Sequence, residues 1–310
     1  MKKNISIVTN CFNEEANVTA LYQAVKSIME KQDKYNYEHI FIDNNSYDKT
    51  LAILKEIAGN DKNIKIISNS RNFGQIRSGV YGILQATGDA VIHIVADFQD
   101  PPDMIETFLE SWDNGYKVVV GVKKSSEESP IIGSIRKFYY FLIGKISDTK
   151  LIKNFTGFGL YDKSFINIIR ELDDPYPYFR GLISEIGFEP KKIEYVQPKR
   201  KKGKSNHTFY TLYDFAILGI TSHSKIPLRL IIFSGFFISF LCFLIGLGYL
   251  IYKLIYWDRF DVGIAPVVIG IFFFASIQLF FMGILGEYIG FIHTQLLKRP
   301  MVVEKERINF

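Results

Sequence analysis

The chain has 310 residues, 48% hydrophobic and 15% aromatic, with a formal net charge of +5. That length carries one sizeable domain and something more; the charge is modest and its distribution matters more than its sum, so no nucleic-acid partner is expected. Two cysteines, Cys11 and Cys242, fall in a strand-end loop and an apolar run, which excludes a disulfide framework, and Met1–Asn4 leads into a short strand instead of a signal-peptide core.

Ile5–Thr9 reads as a strand, followed by Asn10-Cys11-Phe12-Asn13-Glu14-Glu15 and a helix over Ala16–Lys31 with Val18, Leu21, Val25, Ile28 and Met29 on one face. Asn13 is the expected N-cap, with Glu14 and Glu15 favourable in the first turn. A second strand, Tyr37–Ile42, ends in a polar turn from Asp43 to Thr50 and feeds a helix over Leu51–Ala58. Ile64–Ser68 is a third strand, leading through Asn69–Gly74 into a helix reaching about Ala86.

The run Ala90–Ala96 is continuously apolar apart from His93, as suits a strand covered on both faces, and it ends on Asp97-Phe98-Gln99-Asp100. Pro101 and Pro102 forbid further ladder pairing, so the carboxylates emerge at the strand's carboxyl end. A helix from about Pro102 to Asn114 and a strand over Lys117–Val122 follow. This alternation predicts an α/β fold with a mostly parallel sheet and helices on both faces. Three polar turns then meet at one sheet edge, where such folds bind nucleotides. No spaced-glycine dinucleotide fingerprint or P-loop is present, which disfavours dehydrogenases and P-loop kinases and leaves carboxylates with a metal to hold the nucleotide. The hard oxygens of Asp97, Gln99 and Asp100 suit Mg²⁺ or Mn²⁺ shared with phosphates; solvated strand-end caps are the alternative.

Ile131–Ile146, with Arg136, Lys137 and Lys145, reads as an amphipathic helix near a membrane. Asn154–Asp162 is rich in glycine and aromatics, either a backbone approach to a ligand or a tight turn that packs its rings. Five cations occupy Lys199–Lys204, ahead of an interfacial helix over Phe209–Ile220. Leu230–Tyr252 and Ile264–Gly286 carry no charged side chain; each is about 23 residues, roughly 34 Å of helix, enough to cross a bilayer core of about 30 Å. Lys225, Arg229, Lys298 and Arg299 flank the pair on the outside, whereas its connector is charge-neutral, so both termini are expected in the cytoplasm. Glu287, near the end of the second run, either pairs or sits at headgroup level. The expected organisation is a catalytic domain over 1–207, an interfacial helix over 208–225, two spans within 226–300 (about 228–256 and 262–292) and a cytoplasmic tail over 301–310.

Asn13-Glu14-Glu15, Asp43-Asn44-Asn45-Ser46, Arg71-Asn72-Phe73-Gly74 and Asp97-Phe98-Gln99-Asp100-Pro101-Pro102 occur in that order. Arg180-Gly181-Leu182, Arg200–Ser205, Pro227–Leu230 and Gly286–Gly290 continue the series. The ordered set resembles the family-two glycosyltransferases with a GT-A fold, in particular the polyprenyl-phosphate group that includes bactoprenol glucosyltransferases and dolichyl-phosphate mannose synthases. The resemblance implies a nucleotide-sugar set of Asn10, Phe12, Glu14, Asp43, Arg71, Asn72 and Ala96, with Glu14 and Asp43 on the nucleoside. It implies a divalent metal on Asp97 and Gln99, and an acceptor-phosphate set of Arg180, Arg200, Lys202, Lys204 and Ser205. Asp97, Asp100 and Arg200 are the expected catalytic residues.

Four positions depart from the family pattern: Val95 replaces the first acid of an Asp-x-Asp pair, Asn44 a second acid, Asn206 a lysine, and Gly157 an aspartate proposed as base. A hydroxyl acceptor needs a base. A lipid phosphomonoester, with its second pKa near about 6, is already mostly dianionic at neutral pH and needs only charge shielding. The expectation is therefore inverting transfer of a hexose from a nucleotide sugar, UDP-linked, to undecaprenyl phosphate at the cytoplasmic face of a bacterial inner membrane. The alternatives are extension of a lipid-linked saccharide, with Asp100 as base, and a non-catalytic nucleotide-sugar-binding membrane protein. Relatives of this type suggest a homo-oligomer, but nothing in the spans forces one.

Overall fold

The computed structural model describes residues 2–125, 151–198, 217–221, 224–256 and 264–310. Apolar strand sequence drives the first half: β1 (Lys3–Cys11), β2 (Tyr35–Asp43), β3 (Ile64–Asn69) and β4 (Ala90–Val95) form the centre of one sheet. They are joined by α1 (Val18–Met29), α2 (Thr50–Asn60) and α3 (Gln75–Gln85). After α4 (Met104–Asp113), β5 (Val118–Ser125), β6 (Phe155–Asp162) and β7 (Lys191–Val196) extend one side of the sheet. α5 (Lys163–Leu172) and α6 (Phe179–Glu185) lie between β6 and β7, and β8 (Glu304–Ile308) closes the far edge. The strand order is β7-β5-β6-β4-β1-β2-β3-β8. Pairings β1–β2, β1–β4, β2–β3 and β5–β7 are parallel, and β4–β6, β5–β6 and β3–β8 antiparallel.

Each sheet face has its own core. α1, α2 and α4 pack Val18, Leu21, Leu54, Ile105 and Phe108 against Ile5, Ile7, Phe41 and Ile92. α3, α5 and α6 pack Val80, Ile83, Phe165, Ile169 and Ile183 against Val8, Ile40, Ile42 and Val91 on the other. α3 lies close because Gly82 faces the sheet: a Cβ there would stand 2.0 Å from Ile42 Cδ1. α3 thereby brings its N-terminal turn to the carboxyl edge.

Three expectations change. Asn13 is no N-cap: α1 begins at Val18 after Asn17, and neither Glu14 nor Glu15 falls in its first turn. Asn13 instead takes a left-handed φ of 57°, and its Oδ1 accepts from Tyr47 N at 3.0 Å. The glycine-rich segment is strand β6, antiparallel to β4 and β5. The expected tail over 301–310 contains a strand, whose Ile308, Arg307, Glu306 and Glu304 pair with Ile66, Ile67, Ser68 and Asn69 of β3.

Two long helices, α7 (Ile226–Ile255) and α8 (Ile264–Leu296), precede that strand. Ile226–Gly248 and Ile269–Leu296 are long and apolar enough to cross a membrane. Pro227 lies in the first turn of α7, where its missing N–H costs nothing. Tyr288 Oη donates to the Ser224 carbonyl at 2.7 Å, closing the foot of the hairpin. The expected helix over Ile131–Ile146 lies outside the described residues, as does most of Phe209–Ile220, of which 217–220 is helical.

Candidate active site

Register brings four strand ends to one edge: Asn10 stands beside Ile42 and Val95, Cys11 beside Asp43, and Asp43 beside Ser68. The loops leaving β1 and β2 are knitted together. Asn13 N donates to Ser46 Oγ at 2.9 Å, Glu15 N to Asp48 Oδ2 at 3.2 Å, and Lys49 N to Glu15 Oε2 at 2.9 Å. Glu14 is buried; its N donates to Thr50 Oγ1 at 2.8 Å and its Oε2 accepts from Asn17 Nδ2 at 2.6 Å. Phe12 is half-buried and meets Tyr47 edge-on at 5.7 Å.

Asp43 is fully buried, accepting from Ser46 N at 3.3 Å and Ser68 Oγ at 3.5 Å. Burial pushes its carboxyl above the ordinary range against those hydrogen bonds. Asn44, where the family pattern has an acid, holds the next loop. Its Oδ1 accepts from Phe73 N at 3.0 Å and Asn69 Nδ2 at 2.9 Å, and its Nδ2 donates to Asn72 Oδ1 at 2.8 Å. An amide can both donate and accept here, and a carboxylate could not. Arg71 and Asn72 are exposed on this loop.

Beyond β4, Ala96 is buried and Asp97 half-buried, with Asp97 Oδ1 accepting from Gln99 N at 3.1 Å. Phe98, between these two, takes a left-handed φ of 61°. For a bulky L-residue that conformation costs on the order of 1–2 kcal/mol, and such strain gathers at binding sites. Asp100 points inward at 3% exposure, its Oδ1 accepting from Tyr195 Oη at 2.9 Å. Burial pushes its carboxyl up to about 6, opposed by Tyr195 and Lys123.

Gly157 holds no acid; with φ of 104° it turns its carbonyl inward. That oxygen accepts from Tyr161 Oη at 2.7 Å and His93 Nδ1 at 3.2 Å. The ring is therefore the Nδ1–H tautomer, and burial holds it neutral, down to about 4. Its Nε2 and Asn10 Oδ1 are buried without a partner among the described residues. Arg180, half-buried on α6, lies within electrostatic reach of His93 and Tyr161. Arg200, Lys202, Lys204 and Ser205 lie outside the described residues, as does Asn206; β7 runs parallel to β5 and ends at Val196, four positions before Arg200.

The edge thus gathers Asn10, Phe12, Glu14, Asp43, Asn72, Asp97 and Gln99, and it buries Asp100 beneath them. Tyr195 and Gly157's partners His93 and Tyr161 were missed. Only His93 carried a signal, as the one polar residue in an apolar strand.

A glycosyl transferase family 2 model matches residues 6–169, from β1 into α5. The chain belongs to glycosyl transferase family 2. This family 2 glycosyltransferase is 32% identical over 304 residues to an uncharacterized glycosyltransferase, YkcC, of Bacillus subtilis (strain 168), covering 96% of this chain and 92% of that protein. It is likewise 32% identical over 303 residues to the SfII prophage-derived bactoprenol glucosyl transferase of Shigella flexneri, covering 97% of each. Among solved structures, Mycobacterium tuberculosis glucosyl-3-phosphoglycerate synthase with Mn²⁺, UDP and glucosyl-3-phosphoglycerate superposes with a TM-score of 0.47 at 15% identity, covering 71% of this chain and 78% of that one. The GT-A arrangement, a mixed and mostly parallel sheet with helices on both faces, is the expected one.

Proposed function

We propose that this glycosyltransferase moves a hexose from a UDP-linked sugar to a polyprenyl phosphate at the cytoplasmic face of a bacterial inner membrane. The observation that carries the phosphate acceptor is that neither expected position supplies an acceptor-side base among the described residues: position 157 is a glycine whose carbonyl is held by two donors, and Asp100 is turned into the core. A hydroxyl acceptor would need such a base; a phosphate dianion would not. The name of the Shigella relative supports the lipid carrier and the hexose.

A lipid-phosphate oxygen attacks the anomeric carbon as that carbon's bond to the nucleoside diphosphate breaks, the electron pair leaving with the diphosphate. No proton is transferred, and the anomeric configuration inverts. Asp43 and Glu14, at the ends of the knitted loops, face the nucleoside in this reading, with Asn10, Phe12, Arg71, Asn72 and Ala96 beside them. Arg180 and the basic segment Arg200, Lys202, Lys204 and Ser205 hold the acceptor phosphate.

Mg²⁺ or Mn²⁺ fits the donor set at the tip of β4. Asp97 offers hard oxygen with Gln99 beside it, and among the described residues no group of three His, Cys, Asp or Glu builds a closed protein cage. Such an ion takes one or two protein oxygens and fills the rest of its shell from substrate phosphates and water. When bound, it supplies neutralisation of the leaving diphosphate.

The test is incubation of the full-length protein with labelled UDP-hexoses and undecaprenyl phosphate, following a lipid-linked product. Product is expected from the wild type, with none after chelation or in Asp97→Ala. Full turnover by Asp97→Ala would reject the metal site, and transfer only to hydroxyl-bearing acceptors would reject the phosphate.

A further inference from the structure

The guanidiniums of Arg71 and Arg77 meet at the Phe73 ring, where the β3–α3 loop approaches the chain leaving α8, and Arg299 is near enough to act on Arg77 electrostatically; only Arg71 of the three belongs to the expected site. The guanidinium carbon of Arg71 lies 4.2 Å from the Phe73 ring centroid, and that of Arg77 lies 5.8 Å from the same centroid and 5.9 Å from that of Tyr176. Arg77 Nη2 donates to the Pro300 carbonyl at 3.0 Å, which holds the Pro300–Met301 peptide, one residue past Arg299, beside it. Arg77 Nε is buried without a partner among the described residues. Arg71 and Arg299 are exposed. Among the described residues, none of the three is in an ion pair with a carboxylate.

Like charges surround Arg77. Burial, followed by Arg71 and Arg299, holds the Arg77 guanidinium below its ordinary range. Arg77 also lies in the first turn of α3, which has no acid and no side-chain cap, where a cation opposes the helix dipole. A bound anion removes both costs, and planar guanidinium forks match phosphate oxygens.

We propose that Arg77 and Arg299, with Arg71 at the border of the nucleotide-sugar set, form a further phosphate-binding site for the phosphate of an anionic lipid headgroup or of a nucleotide. Arg299 lies three residues beyond the end of α8. If α8 spans the membrane, as the proposed function holds, that puts the cluster at headgroup depth.

The experiment titrates full-length protein in detergent with inorganic phosphate, UDP, dihexanoyl phosphatidylglycerol and dihexanoyl phosphatidylcholine, reading the melting temperature. Arg299→Gln is the principal variant because the side chain is exposed; Arg77→Gln, which also breaks the Pro300 contact, is secondary. A saturable upward shift is expected from a phosphate-bearing probe, with its half-saturating concentration raised about five-fold in Arg299→Gln, as loss of about 1 kcal/mol per cation predicts. Phosphatidylglycerol acting where phosphatidylcholine does not assigns the lipid source. UDP and phosphate acting alone assign the nucleotide, leaving the site standing while counting against headgroup depth. Identical titrations of wild type and Arg299→Gln with every probe would overturn the site.

Discussion

Asp100 separates the two acceptor chemistries at the level of a single side chain. Asp100→Asn keeps an oxygen for the Tyr195 hydroxyl, so turnover with a lipid phosphate should fall by less than about tenfold. Loss of a working general base would cost roughly 10²–10⁴-fold. Rates of Asp100→Asn and Asp97→Ala measured side by side decide this, with only the second expected to be inactive. His93 and His39 make a prediction about pH. Burial lowers His93 to about 4 and His39 to about 3, against 6.5 for the free side chain. The unfolded chain therefore binds more protons between these values, and stability falls as pH drops from about 6.5 toward 4. The slope is on the order of 1.4 kcal/mol per pH unit for each histidine. Melting temperature followed from pH 7 to about 4.5 should decline, and His93→Gln should decline less steeply.

Among the elements, the β3–α3 loop is the one whose order depends most on a single side chain. Asn44→Ala leaves Phe73 N and Asn69 Nδ2 without their shared acceptor, at a cost on the order of 2 kcal/mol. The loop carrying Arg71 and Asn72 should loosen, so the variant is expected to melt lower and to show a several-fold higher KM for the nucleotide sugar. Unchanged melting and KM would mean the amide network is incidental. The carboxyl-edge loops were legible in sequence because their turn residues and carboxylates follow apolar strands directly. β6 was not, because glycines at 157 and 159 read as a turn when local chemistry alone is weighed; antiparallel pairing with β4 and β5 makes the segment a strand. The clamp of His93 and Tyr161 on the Gly157 carbonyl is purely tertiary, so no spacing announces it. Glu304–Ile308 carries four charged residues in five and shows no apolar strand pattern in sequence, yet its half-buried and exposed positions alternate as an edge strand requires.

At the scale of the whole molecule, β8 does more than cover an edge. Lys55 Nζ meets Glu306 Oε1 at 2.6 Å, Tyr81 Oη donates to Glu304 Oε1 at 2.7 Å, and Asn309 Nδ2 donates to the Ala58 and Ile64 carbonyls at 2.8 and 2.9 Å. The chain that leaves α8 is thus fastened to β3, one strand from the loop that leaves β2. A strand paired to the sheet must lie on the same side of a bilayer as the sheet. The Tyr288–Ser224 contact likewise holds the start of α7 beside the last turns of α8. If both helices span, their connector alone lies across the membrane. This predicts that Asp258→Cys, in the connector, reacts with a membrane-impermeant maleimide on intact cells, whereas Lys305→Cys, on β8, reacts only after permeabilisation. Cys11 is buried, and replacing Cys242 by alanine removes the other background thiol. Labelling of Lys305→Cys from outside would contradict the hairpin. Labelling of neither site before permeabilisation would instead mean that α7 and α8 lie on the membrane without crossing it.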